Sequence, residues 1–446
     1  MKKYYRALIY LMLLQLSTAK AEDLLTVYQQ ALEFDPELQM AGYKVEIGSD
    51  MKGVALGAML PQINASTNWS QNNQIYGKTP TTPKGFDQTK HYNGTRYNVS
   101  LSQSLLDFTK FWEWRRSQQA KDQYALEQVA VLHELMFKVV ERYFNILFAE
   151  DDLFYLKAEA ETMQKELQQA QKLYAKHIVL ITDVYEIEAR LDQVKATVIE
   201  AETLVVVAKQ SLRELTNIEP GKLHKLRKEI NFIKLEGKLD DWIAVSRSEN
   251  PTLAAQIKAI EAASSNVDVY KSRHLPVVDM QMSYISTNQG YQSQSALSQY
   301  DVTVAALNVN IPLFSGGVMT SQMNKAQHEL SSTQTENEAK IRFLIKETTD
   351  SYMSTNNSVD RIAATRKALE SAVKSREALE KAFEYGEESM ADVLYGLQLE
   401  YRVLRELAQV RYEYIKQKIR FMKATGLITD ENMVEVNSWL KMPSVD

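Results

Sequence analysis

The sequence predicts a mainly helical chain in which very long coiled-coil helices flank short two-faced strands of the membrane-barrel kind, the whole layout occurring twice. Three observations carry that fold class. The stretch from Phe108 to Lys172 holds neither proline nor glycine. Apolar residues alternate with polar ones in the stretches that follow Pro61 and Pro276. Landmarks of the first half return in the same order in the second.

The repeat comes first because it sets the grammar. Asp35-Pro36-Glu37-Leu38 returns as Asn250-Pro251-Thr252-Leu253, and Leu60-Pro61 as Leu275-Pro276, both 215 residues on. Thr182-Asp183-Val184 returns as Ala391-Asp392-Val393, and Leu215-Thr216-Asn217 as Ala424-Thr425-Gly426, both 209 residues on. Four landmarks in one order, each at an element boundary, predict a tandem duplication. The expected division is a signal peptide over 1–21, a first repeat over 22–217, a second over 218–426 and a C-terminal segment over 427–446.

Each half opens the same way. Asp or Asn before Pro is a helix start, with a side-chain acceptor at the N-cap and a proline where no N–H is missed. The helix is expected to run to Leu60 or Leu275, since a proline disfavours helix in the residue before it. The period then changes to two. Ile63, Ala65, Thr67 and Trp69 alternate with Asn64, Ser66, Asn68 and Ser70, and Tyr97, Val99 and Leu101 alternate with Asn98, Ser100 and Ser102. Val278, Met280, Met282 and Tyr284 form a third run, and Tyr300, Val302 and Val304 open a fourth. Polar loops at 76–91 and 286–298 separate the members of each pair. Four such strands cannot close a membrane barrel, which needs about eight. Either they form a small soluble sheet, or several chains pool theirs.

The helices favour pooling. A helix from Phe108 to Lys172 is about 95 Å long at 1.5 Å per residue. Along it, Val129, Leu132, Met136, Val139, Tyr143 and Ile146 make one stripe, and Phe137, Val140, Phe144 and Leu147 a second. Two adjacent stripes let one helix pack against a neighbour on each flank. The next helix keeps an unbroken heptad through Leu191, Val194, Val198, Ala201, Val205, Ala208, Leu212 and Leu215. Val403, Leu407, Val410, Tyr414 and Phe421 repeat it, with Gln417 interrupting. On the heptads alone, a soluble periplasmic coiled-coil adaptor or scaffold is the alternative reading, and it leaves the strands unexplained.

Compartment and chemistry are bounded by composition. Lys2, Lys3 and Arg6, an apolar run from Ala7 to Leu16, and Ala19-Lys20-Ala21 read as an export signal cleaved before Glu22. There is no cysteine, which removes disulfides, thiolate metal sites and cysteine nucleophiles together. Formal charge is −5; without residues 1–21, 48 basic residues face 57 acidic ones, which argues against a nucleic-acid partner. The six histidines are dispersed, and no phosphate-binding loop, nucleophile elbow or metal-ligand spacing is present. Neither a cofactor nor enzymatic activity is expected.

Taken in order, these residues resemble the TolC family of outer-membrane efflux and type I secretion channels. The opening, Asp23-Leu24-Leu25-Thr26-Val27-Tyr28-Gln29-Gln30-Ala31 followed by Asp35-Pro36-Glu37-Leu38, is similar to that family's. So are the joints Leu60-Pro61-Gln62 and Leu275-Pro276, and the return Asn310-Ile311-Pro312-Leu313-Phe314-Ser315-Gly316-Gly317. The resemblance implies a homotrimer with four strands per chain in one 12-stranded barrel, continuous with a helical tube through the periplasm. It also implies outer-membrane localisation, docking with a periplasmic adaptor and an inner-membrane transporter, and passive export of drugs or unfolded proteins.

The same resemblance implies a gate where the helix hairpins turn, from Tyr174 to Asp183 and from Phe383 to Asp392. Asp183 and Asp392 match its carboxylates, and a threefold axis would make Asp392 a ring that attracts cations. Phe383 stands where the family has a tyrosine, Glu388 where it often has an arginine, Tyr395 in place of a second ring carboxylate, and His177 in place of a glycine. Ser389-Met390-Ala391-Asp392 also reads as a capping box, a purely structural role. For the strand aromatics Trp69, Tyr92, Tyr97, Tyr284 and Tyr300, an interfacial girdle and ordinary cross-strand packing are both open. Trp112 and Trp114 are expected at the periplasmic interface.

Overall fold

The computed structural model describes residues 22–75, 81, 89–289 and 299–442. The signal segment, most of both interstrand loops and Pro443 lie outside the described residues. Two series of elements run along the chain. The first is α1 (Leu24–Phe34), α2 (Pro36–Gly57), β1 (Gln62–Ile75), β2 (Thr89–Leu106), α3 (Phe108–Ala175) and α4 (Ile181–Thr216). After a short β3 (Lys225–Leu226) the second is α5 (Leu239–Glu249), α6 (Pro251–Ser272), β4 (Val277–Gln289), β5 (Gln299–Asn310), α7 (Val318–Glu384) and α8 (Met390–Thr425). Helix α9 (Asp430–Ser438) and β6 (Leu440–Lys441) end the described chain. Corresponding helices have 11 and 11, 22 and 22, 68 and 67, and 36 and 36 residues. Asp35 caps α2 by accepting from the Leu38 N–H at 2.9 Å, and Asn250 caps α6 by accepting from the Thr252 N–H at 2.9 Å. Both helices stop three residues short of the expected Leu60 and Leu275, in a tight turn before the proline.

The chain divides into two compact units. One, residues 44–125 and 255–338, holds a four-stranded antiparallel sheet in the order β1-β2-β4-β5. Its register places Ile63 opposite Leu101, Leu101 opposite Met282, and Met282 opposite Ala305. Directly opposed residues share a face, so Ile63, Ala65, Trp69, Tyr97, Val99, Leu101, Met280, Met282 and Tyr284 form one apolar side. That side continues on β5 through Ala305, Leu307 and Val309. Tyr300, Val302 and Val304 pair with Thr287, Ile285 and Ser283, which puts them on the opposite, mainly polar side. Ile63, Trp69, Tyr97, Tyr284, Leu307 and Val309 are all exposed in the single chain. Neither edge, β1 or β5, has a partner strand among the described residues.

The other unit, residues 1–43, 126–254 and 339–446, is helical. Both stripes of α3 are buried here, Met136, Val139, Tyr143 and Ile146 on one and Phe137, Val140, Phe144 and Leu147 on the other, except at the start of the first, where Val129 is exposed and Leu132 half-buried. Polar ties identify the two neighbours. Lys157 and Glu202 (2.7 Å) link α3 to α4, while Arg405 to Asp152 (2.6 Å) and Tyr412 Oη to Asp151 (2.6 Å) link α3 to α8. Arg361 to Glu406 (3.8 Å) then links α7 to α8. These ties join α4 to α3, α3 to α8 and α8 to α7, while α4 also meets α8 directly and α1 packs on α4. On α4, Ile199, Leu204, Val206 and Val207 are exposed. Helices α1 and α9 with the β3–β6 pair cover part of this layer, and Tyr143 Oη donates to the His224 carbonyl at 3.0 Å to tie them down.

Candidate gate at the helix-hairpin turns

Each long helix pair reverses through a turn of the same design. In the first, the His177 N–H donates to the Tyr174 carbonyl (2.8 Å) and the Ile178 N–H to the Leu173 carbonyl (3.0 Å). In the second, Gly386 donates to Phe383 (2.9 Å) and Glu387 to Ala382 (2.9 Å). This is the six-to-one closure that ends a helix with one residue in the left-handed region. Gly386 has φ 75°, a conformation free of cost for glycine, and His177 adopts φ 59° at the equivalent place. His177 thus gives the first turn the backbone shape that Gly386 gives the second.

Beyond the turns, four helix ends share one apolar cluster. Met163, Leu167 and Ala170 of α3 meet Val184, Ile187, Leu191 and Val194 of α4 and Met390, Val393, Leu394 and Leu397 of α8. Phe383 and Leu379 of α7 pack against it. Phe383 is therefore a half-buried wedge in this cluster. Asp183 and Asp392 each precede a cluster residue, which brings both to the same end of the unit. Asp183 Oδ2 accepts from the Leu180 N–H at 3.0 Å. Asp392 Oδ2 accepts from the Ser389 N–H at 3.3 Å and from the Ser389 hydroxyl, while Ser389 Oγ accepts from the Asp392 N–H at 3.3 Å. These bonds from the Ser389 side chain and backbone hold the Asp392 carboxyl below its usual range. Both aspartates are thus helix caps, and the bonds to Ser389 keep Asp392 in its charged form at the second turn. Glu388 is exposed, and Tyr395 is 62% exposed, one turn beyond Asp392.

Three features here have no counterpart among the expected gate residues. Gly396 lets α7 and α8 approach closely: a Cβ there would lie 2.9 Å from Leu379 Cδ1 and 3.3 Å from Arg376 Cα. Across that contact Arg376 pairs with Glu400 of α8 and with Glu380 of its own helix. In the cleft between α3 and α8, buried Glu159 faces Tyr395, Gln398, Leu399, Arg402 and Arg405. Burial pushes its carboxyl up to about 6, against the opposing pull of Arg405. Arg405 is already engaged by Asp152. None of these follows from a local motif: Gly396 and the Arg376–Glu400 pair depend on how α7 and α8 pack across the hairpin, and Glu159 on a helix more than two hundred residues away.

Among the described residues no cluster of His, Asp and Glu could hold a metal ion. No described helix is long and apolar enough to cross a membrane. The profile of the outer membrane efflux protein family matches residues 27–217 and again 242–427.

The chain belongs to that family.

It is accordingly an outer-membrane efflux channel, with its helical part extending into the periplasm. Relatives agree over nearly the whole length. Outer membrane protein TolC of Vibrio cholerae is 26% identical over 429 residues, covering 96% of this chain and 95% of that protein. Alkaline protease secretion protein AprF of Pseudomonas aeruginosa is 26% identical over 434 residues, covering 95% and 88%. In fold, the Campylobacter jejuni CmeC outer membrane channel superposes with a TM-score of 0.80 at 16% identity, covering 94% of this chain and 90% of that one. CusC superposes at 0.78 with 17% identity, covering 91% and 92%.

Proposed function

We propose that three copies of the chain close one 12-stranded barrel and one periplasmic helical tube, forming a passive export duct gated at the hairpin turns. The observation that carries this reading is the open sheet. In lipid every backbone group needs a partner, so an edge strand cannot face hydrocarbon. Because each chain contributes an even number of antiparallel strands, β5 of one copy meets β1 of the next in antiparallel sense, and the sheet closes without a mismatch. The exposed apolar residues of α4 fit the same head-to-tail contact, against α7 of a neighbour.

The apolar side of the sheet then faces lipid. From the Val278 row to the row shared by Trp69 and Asn288 is ten residues, about 33 Å at 3.3 Å each. Tilted by about 40°, that is about 25 Å, the height of an outer-membrane apolar band. Trp69, Tyr97 and Tyr284 sit toward one end of the band. Phe111, with Trp112 and Trp114 against it at 5.5 and 6.2 Å between ring centroids, follows the strands at the other. This supports an aromatic girdle at both interfaces.

At the gate, threefold repetition turns Asp392 into a ring of ionised carboxylates, with Asp183 adding charge and Tyr395 narrowing the passage by bulk. Such a constriction favours cations. The exposed apolar side chains of Ile178, Leu180 and Tyr385 at the turns suit docking by a periplasmic adaptor that links the duct to an inner-membrane transporter. Relatives named for protease secretion, AprF and PrtF, favour type I protein secretion beside small-molecule efflux. The chain itself carries no catalytic site in this reading, and the duplicated layout derives from one ancestral half.

Light scattering of the detergent-purified protein tests the assembly. A particle containing three chains is expected; a monomer overturns the reading. Single-channel recording of Asp392→Asn and Tyr395→Ala tests the gate: loss of trivalent-cation block in the first and larger conductance in the second are expected. Unchanged values in both would sink the gate assignment.

A further inference from the structure

The helical unit carries a basic strap that neither the barrel nor the gate uses. Lys222, His224, Lys225, Arg227 and Lys228 fall within seven residues with no acid among them, in a chain whose formal charge is −5. Glu219 and Glu229 flank the run. It is not a solvated tail. Leu223 and Leu226 are buried in the main core, Leu223 bridges to Glu22, and Lys225-Leu226 pairs with Leu440-Lys441. This anchoring fixes the cations on the outside, with Lys222, Lys225, Arg227 and Lys228 exposed.

Two details show positive charge gathered against its own repulsion. Lys225 stands directly opposite Lys441 across the β3–β6 pair, and both are exposed; like charges so placed disfavour the pairing. Beneath the strap Arg411 donates to the carbonyls of Arg227 and Lys228, and its Nε is buried without a partner. It makes no ion pair among the described residues. The carboxylate nearest Lys225, Asp151 at 3.8 Å, already accepts from Tyr412 Oη at 2.6 Å. Lys222, Lys228 and Lys441 form no ion pair with any described residue.

We propose that this strap binds peptidoglycan, through the free carboxylates of its stem peptides. The inference rests on the duct reading in one respect: a second layer over the helical wall of an open duct lies on the outer side, where the periplasmic polymer is. Lys222, Lys225 and Lys228 follow at three-residue intervals through and around the two-residue β3, a cluster that suits a repeating anionic mesh. A net-acidic protein is otherwise repelled by such a polymer, so a local patch has to provide any attraction.

The test is co-sedimentation of the detergent-solubilised full-length protein with purified sacculi, with channel conductance recorded on the same preparations. Wild type is expected to sediment at low salt and to be released at about 0.5 M salt, where screening acts within a few ångströms. The variant with Lys222, Lys225, Lys228 and Lys441 all changed to Gln is expected to sediment about tenfold less and to conduct normally. Equal sedimentation of the two proteins, or none by wild type, overturns the proposal. So does wild-type binding to anionic-lipid vesicles without preference for sacculi. Loss of conductance by wild type would count against the duct instead, which separates the two claims.

Discussion

Asp392 and Asp183 hold the third position of their helices, and each closes hydrogen bonds back to the residue before the helix. Under the proposed gate, capping and gating are roles of the same carboxylate that different substitutions separate. Ser389→Ala removes the reciprocal hydroxyl but leaves the charge, so it should cost about 1 kcal/mol of stability with cation selectivity intact; thermal melting and bilayer recording check the pair. Glu159 makes the opposite case. Its buried carboxyl titrates at about 6, above the usual ~4.3, so the folded state disfavours the charged form. Stability is thus lowest above pH ~6 and is gained as pH falls through that value toward the unfolded pKa. Glu159→Gln should raise the melting midpoint at about pH 7.5, by an upper bound of about 2 kcal/mol in stability, and lose its advantage near pH 4.5. A variant that melts below wild type at about pH 7.5 contradicts this. The aspartates could be found from local motif; Glu159 could not, because its burial comes from α8, more than two hundred residues along the chain.

At the level of elements, the double stripe of α3 was legible because heptad period alone fixes which residues face inward. Its meaning was only half legible, since both stripes are satisfied within one chain, by α4 and α8, while the outer helices carry the unpartnered surface. On β5 the alternation misled: Ala305 and Ala306 are both small, so period two does not reveal which face each run belongs to, and only pairing with β4 shows that Tyr300, Val302 and Val304 lie opposite the apolar side. The C-terminal segment gave no signal because β6 exists only through β3, some two hundred residues away. The close approach of α7 and α8 at Gly396 predicts a mutational effect at this scale. Gly396→Val should force the helices apart beside Tyr395 and raise resting conductance, whereas Gly396→Ala, for which Leu379 can rotate and the Arg376 backbone at 3.3 Å must give only slightly, should do so much less. Equal conductance of both variants and wild type would contradict a tight α7–α8 contact.

For the whole molecule, the decisive feature is incompleteness. Four strands with two open edges, and a row of helices with apolar outer flanks, satisfy neither lipid nor water as one chain. Pooling among identical copies resolves both, and the family to which the chain belongs is one of outer-membrane efflux proteins. Planar-bilayer recording of the detergent-purified protein, with millimolar trivalent cation added to either side, tests this most directly. The account predicts stable, cation-selective openings that are blocked from the periplasmic side. A protein that extracts without detergent and never conducts would contradict it, and would make the chain a periplasmic coiled-coil scaffold.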